Sequence, residues 1–391
     1  MRLALPYLVF LTAICVLALV PGAVTAADPY ELNAIMPLTG PFSFLGKGEQ
    51  GGLLGVERAV NQRGGIGGRP IKFVFADDQG NPQAAVQLAS ALIAKKVPFI
   101  LGPSSLGSCA AIAPLVKDGP VLYCLSPGLH PPAGSWAFSA NVASDDTMSV
   151  GIRYFNLRGV RRLAMIAATD ASGQDLEKGI DEALALPVNR NMVLVDREHF
   201  APGDVIVSAQ IARIKAAQPQ VLLIQSTGTP LATVLRAVRD AGLEIPIFTT
   251  SGNESYAQMK QYAAFLPKDL YFPGLPLLAL SAVTDDRVRN EVLLYLRTLQ
   301  SMDLKPDIMP ATGWDPGMIT VSALQKYGLT MTADQFKDYL TNLRGFAGVM
   351  GRYDFHEVAQ RGLGVASVFI TRWDVQKDWW VAASRPAGAP L

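Results

Sequence analysis

Short apolar runs alternate with helical stretches along most of this chain, and that alternation limits its fold more than any other feature. Read from pattern, strands fall at 31–36, 71–76, 97–101 and 121–125, with helices at 43–61, 82–95 and 107–116 between them. Most of these are short apolar runs that end in polar, Gly or Pro residues, as strands buried on both faces do. Strands that alternate with helices make parallel sheets with right-handed crossovers. The pattern then restarts. Helices at 145–157, 174–185, 205–216 and 231–241 alternate with strands at 163–167, 192–196, 221–224 and 246–249. Helices at 285–302, 316–327 and 333–342 follow, then strands near Tyr353, at 366–371 and at 379–382. The expected fold class is α/β, with two doubly wound parallel-sheet lobes of similar size. Ligands of open parallel sheets bind beyond the carboxyl ends of the strands. Two such sheets facing each other would make a cleft.

Composition enters as a possible objection. Mean hydropathy is +0.24 and only 17% of the 391 residues are charged, against about 25% in a typical soluble domain. Much of the excess lies in the apolar run at 3–20, preceded by Arg2 and followed by Pro21-Gly22 and Val24-Thr25-Ala26-Ala27. This reads as a secretory signal peptide, residues 1–26, cut after Ala26 or Ala27; an uncleaved anchor is the alternative. Beyond it no uncharged apolar stretch has the ~20 residues a spanning helix needs, which excludes a multi-span transporter. With 34 basic against 33 acidic residues and no basic block, no nucleic-acid partner is expected. Export to the periplasm permits a disulfide between Cys109 and Cys124. One is expected early in a helix and the other at the end of the next strand, on the same sheet edge. A bridge and two buried thiols both fit.

Motifs for catalysis are sparse. Gly46-Lys47-Gly48-Glu49-Gln50-Gly51 matches the dinucleotide fingerprint G-x-G-x-x-G. The fingerprint needs its first Gly directly after the strand, whereas here the strand ends near Met36. The glycines read better as a helix start packed closely on another segment. His130, His199 and His356 are far apart, and no G-x-S-x-G, H-E-x-x-H or paired C-x-x-C occurs. No enzyme activity, metal or cofactor is expected.

Several segments in succession carry a resemblance. They are Met36-Pro37-Leu38-Thr39-Gly40-Pro41, then the stretch Asn61-Gln62-Arg63-Gly64-Gly65-Ile66-Gly67-Gly68-Arg69-Pro70-Ile71, then Asp77-Asp78 with Pro82. Leu101-Gly102-Pro103-Ser104-Ser105, Gly313-Trp314-Asp315 and Gly351-Arg352-Tyr353-Asp354-Phe355 continue the order. Together they resemble the periplasmic solute-binding proteins of branched-chain amino acid type ABC importers, over nearly the whole mature chain. The resemblance implies a type I periplasmic binding protein fold with a three-segment hinge. Lobe one would be 28–145 plus 273–357 and lobe two 146–272 plus 358–391. It also implies a monomer that closes on a small molecule and docks on an ABC transporter permease at the inner membrane.

The resemblance places the ligand's carboxylate at Ser104 and Ser105, with Ser126 and Gly128 of the Ser126-Pro127-Gly128 turn completing a clamp. Hydroxyls and backbone N–H groups at strand ends suit a carboxylate, although a Ser before a helix can also be an ordinary cap. The family's amino-acid binders set a Glu against the ligand's ammonium. Here that position falls at Gly252 or Asn253, with Glu254 displaced by one or two residues. Leu45, Ser172 and Thr227 stand where relatives carry Tyr. Phe42, Phe44, Met309 and Trp314 offer apolar walls. A kept carboxylate clamp without an ammonium partner points to a small hydrophobic carboxylate. The segments 169–175 and 253–259 resemble the branch that handles aromatic acids such as benzoate or cinnamate derivatives. Ser172, Thr227 and Asn253 are expected to bond ring substituents. A branched-chain amino acid binder, a sensor module for a signalling partner and, more remotely, a dinucleotide-dependent enzyme are the alternatives.

Overall fold

The computed structural model describes residues 28–391; the expected signal peptide lies outside the described residues. The first sheet is built from β1 (Tyr30–Met36), α1 (Ser43–Asn61), β2 (Ile71–Asp77), α2 (Pro82–Ala94), β3 (Phe99–Leu101), α3 (Leu106–Ile112), β4 (Val121–Cys124) and β5 (Ala137–Ser139). Its strands run in the order β2-β1-β3-β4-β5, all parallel. Successive side chains of a strand point to opposite faces, and here both faces are dry. Phe99, Leu101 and Tyr123 pack in the larger core, whereas Ile100, Leu122 and Cys124 pack with α2 and α3 on the other side. In that second core Cys109 and Cys124 are joined by a disulfide, which settles the pairing the sequence left open.

The chain then enters α4 (Ser144–Leu157), β6 (Arg162–Ala168), α5 (Ala171–Ala185), β7 (Val193–Phe200), α6 (Ser208–Ala216), β8 (Val221–Gln225), α7 (Thr229–Asp240), β9 (Ile247–Phe248), α8 (Tyr256–Tyr262) and β10 (Leu270–Gly274). Next come α9 (Asp286–Gln300), α10 (Ile308–Tyr327), α11 (Ala333–Asn342), β11 (Arg344–Ala347) and β12 (Arg352–Asp354), and these helices pack back on the first lobe. The last strands, β13 (Phe369–Asp374) and β14 (Trp379–Ala382), return to the second sheet, ordered β14-β13-β10-β9-β8-β6-β7. Its strands run parallel except β13, which is antiparallel to both its neighbours, β10 and β14. The connections 140–143, 275–285 and 355–368 carry the chain between the lobes. β10 runs on to Gly274, past the 272/273 division expected between lobe segments.

Some elements depart from the pattern. α10 begins at Ile308, well before the expected start at 316. Pro310 stands in its first turn, where the missing N–H is no loss. β10 was hidden by Pro273, a residue rare inside strands; it pairs with Ile370 of the antiparallel neighbour. The strand expected at 366–371 lies at 369–374, after a helical turn at Val365–Ser367.

The glycines of α1 do the work that the dinucleotide fingerprint only mimics. A Cβ on Gly48 would stand 2.4 Å from Met309 Cβ, and one on Gly52 1.9 Å from the carbonyl oxygen of Pro310. α1 and α10 therefore touch backbone to backbone, and this contact sets the height of both at the cleft. Gly52→Ala is expected to lower stability by about 1–3 kcal/mol, as overpacking does. A reduced urea midpoint at unchanged slope is the readout.

Candidate functional site

The loops that follow the strands converge on one cavity between the lobes. Phe42 and Leu45 come after β1, Ser104 and Ser105 after β3, and Leu125 to Gly128 after β4. From the other lobe come Asp170, Ser172, Asp175 and Leu176 after β6, Thr227 after β8, and Thr250 to Gly252 after β9. Ile308, Met309 and Thr312 of α10 close one side. The empty space there, its open mouth included, is about 920 Å³.

Of the residues expected to bind ligand, Leu45, Ser104, Ser105, Ser126, Gly128, Ser172, Thr227 and Met309 line this cavity. Two do not. Phe44 turns from the cavity to the other lobe, where its ring lies so near Gly228 that a Cβ there would be 2.8 Å away. Asn253 is wholly buried behind the wall. Its Nδ2 donates to the Ser226 carbonyl (2.8 Å) and Thr249 Oγ1 (2.9 Å), and its Oδ1 accepts from Gly228 N–H (2.9 Å). It binds the loops after β8 and β9 together, away from the cavity. Trp314 is likewise core, edge-on against Tyr295. Glu254 is buried beside Thr371, which donates to it, and Gly252 alone of this triplet reaches the cavity.

The clamp region has its own internal bonds. Ser105 Oγ caps α3 by accepting from Ser108 N–H at 3.2 Å. Ser104 Oγ bonds Glu49. The turn after β4 is braced from behind by Arg361, a buried guanidinium that donates to the carbonyls of Pro127 (3.1 Å), Leu129 (2.5 Å) and Asn141 (2.6 Å) and to Ser139 Oγ (2.9 Å). Burial pushes its pKa down to about 10, so it stays cationic at neutral pH and lends the turn positive potential.

Acids contribute more of the lining than the sequence suggested. Asp170 is spent as the cap of α5, accepting from Gly173 N–H at 2.8 Å. Asp175 accepts from Ser144 and meets His130 Nε2 at 2.9 Å, an ion pair that joins the lobes when the imidazole is charged. That hydrogen bond raises the His130 pKa. Glu49, in the second turn of α1, was missed altogether. It is buried, and desolvation pushes its pKa up to about 8 against the pull of its bonds to Ser104 and Thr312, with Asp78 adding repulsion. The available signal was a carboxylate set among glycines on the packed face of a helix.

A two-lobed α/β protein whose strand ends meet around an interlobe cavity is a scaffold for holding a small molecule. Residues 30–378 match the model of the periplasmic binding protein family, and the chain belongs to that family. Curated relatives include the Leu/Ile/Val-binding protein homolog 3 of Brucella melitensis, 22% identical over 62% of this chain and 66% of the relative. Leu/Ile/Val-binding protein BraC3 of Rhizobium johnstonii is 27% identical over 54% of this chain and 58% of the relative. The match thus spans less than two thirds of the length of these relatives. Among solved structures, an extracellular ligand-binding receptor from Rhodopseudomonas palustris HaA2 superposes with TM-score 0.78 at 18% identity, covering 91% of this chain and 99% of that one. LivJ of Streptococcus pneumoniae, solved with isoleucine, gives TM-score 0.76 at 16% identity, covering 91% and 99%. These likenesses establish the type I fold. Among the described residues no helix is long and apolar enough to cross a membrane.

Asn253→Ala would leave the Gly228 N–H and the Ser226 carbonyl without their partner. A cost of about 1–3 kcal/mol is expected for a buried group so orphaned, read as a lower midpoint in urea unfolding.

Proposed function

We propose that this chain is the substrate-binding component of an ABC importer, held in the periplasm. It captures a small hydrophobic carboxylate, an aromatic acid of the benzoate or cinnamate kind, and makes or breaks no bond. The observation that carries this reading is the wall after β9: Gly252 faces the cavity, while Asn253 and Glu254 are buried behind it. A buried ammonium would find no charge at that wall, and an unpaired one costs several kcal/mol. Phe42, Leu45, Leu125, Leu176, Ile308 and Met309 supply apolar surface. Ser104, Ser105, Ser126 and Gly128 form a hydroxyl-and-amide corner for the carboxylate, with Arg361 behind it. Ser172 and Thr227 stand opposite, for ring substituents.

Ligand touching both lobes favours the closed arrangement over the open one, and differential affinity for the two sets the shift. The closed monomer then docks on an inner-membrane permease. The lobe division at 28–145 plus 273–357 and 146–272 plus 358–391 belongs to the same reading. One observation favours a second reading, an amino-acid ligand: Glu49 could neutralise an ammonium from the lobe-one side.

Thermal-shift screening separates the two. Benzoate and cinnamate derivatives are expected to raise the melting temperature, since a ligand at 100 times its Kd adds about 2.7 kcal/mol. Stabilisation by leucine or valine with none by any aromatic acid would reject the carboxylate reading.

A further inference from the structure

Glu49 sits where an anion-binding cavity should not hold a negative charge. One carboxyl oxygen bonds Ser104 Oγ and the other lies 3.4 Å from Thr312 Oγ1, and both hydroxyl residues line the cavity. No Lys, Arg or His among the described residues forms an ion pair with it. The groups packed around it can be named element by element. α10 brings Met309 and Thr312, and the loop after β3 brings Ser104 and Ser105; none of these titrates in the range at issue. The loop after β2 brings Asp78, whose charge opposes ionisation of Glu49. Across the cavity α5 brings Asp170 and Asp175, the latter held by His130 and Ser144. Arg361 stands behind the turn after β4, its guanidinium hydrogens directed to carbonyls and to Ser139.

We propose that Glu49 holds a proton in the ligand-bound state and, through Ser104, makes the cavity a site for a carboxylate. The inference rests on the carboxylate reading above. In this arrangement the Glu49 O–H donates to Ser104 Oγ, which frees the Ser104 O–H to donate to the ligand oxygen. An ionised Glu49 would instead accept the Ser104 proton. It would leave only Ser104 lone pairs toward the cavity and set two negative charges one hydroxyl apart. Binding the anion therefore takes one proton from solvent onto any Glu49 that was ionised beforehand. The desolvated setting supports this, since it already holds the group protonated near neutral pH.

Linkage sets the sign. Where Glu49 is ionised in the free protein, affinity for an anion falls by about tenfold for each rise of one pH unit. Calorimetric titration of the mature chain with benzoate and with cinnamate tests this, at pH 7 and pH 9, in pairs of buffers of different ionisation enthalpy. Net proton uptake that grows toward one per ligand at pH 9, with a Kd raised at least tenfold over pH 7, is the expected result. Glu49→Gln, its fold checked by circular dichroism, should show no uptake and a Kd that changes less than about twofold over that range. The uptake measured on the unaltered chain is decisive even if the variant fails to fold. Binding without proton uptake, or an equal pH slope in Glu49→Gln, overturns this inference and leaves the carboxylate reading standing. Failure of both acids to bind at either pH overturns that reading itself. Isoleucine binding with proton release would make Glu49 the counter-charge of an ammonium and overturns the inference too.

Discussion

A parallel sheet covered by helices on both faces directs the carboxyl ends of its strands to one edge. The rest of this molecule depends on that constraint. In each lobe only the loops at that edge are free of the dry layers, so only they can face the other lobe. Most residues around the cavity accordingly follow β1, β3 and β4 on one side and β6, β8 and β9 on the other, with the start of α10 closing one side. The same burial explains the unusual composition. Strands such as Val221–Gln225 and Leu163 to Ala168 of β6 are buried throughout, so the chain needs little charge to stay folded around them.

Loops at such an edge carry polar groups that water no longer reaches, and each must find a partner within the protein. Arg361 answers four acceptors beneath the turn after β4, and Asn253 ties the loops after β8 and β9 of the second lobe together. Asp315 accepts from the N–H groups of Val349 and Met350, each at 2.8 Å, and so fixes the turn before β12 to α10. The walls of the cavity are therefore held by bonds within the protein. Contacts between the lobes include Phe44 on Gly228, His130 on Asp175 and Asp307, which accepts from Tyr256 N–H at 2.7 Å.

The sequence made the architecture legible because periodicity and burial are local signals. α1 was expected at 43–61 and spans Ser43–Asn61. The paired motifs also have plain structural roles. Asn61 exchanges two 2.8 Å bonds with the backbone of Ile71, and Asp77 accepts from Leu38 and Thr39 to shape the loop after β1. Side-chain direction is a different matter. Phe44 and Leu45 are adjacent on α1, yet one reaches the other lobe and the other reaches the cavity. Asn253 and Gly252 differ in the same way at the end of β9. Glu49 escaped notice because its glycine neighbours drew attention as a fingerprint, while its meaning comes from Ser104, far off in sequence and supplied only by the fold.

The central claim is that the corner formed by Ser104, Ser105, Ser126 and Gly128 receives a carboxylate. A crystal structure of the chain grown with benzoate addresses it directly. The carboxylate oxygens are expected within hydrogen-bond distance of that corner, with the ring directed toward Leu45, Met309 and the second lobe. A carboxylate turned instead toward Gly252, or a ligand seated outside the interlobe cavity, would contradict it.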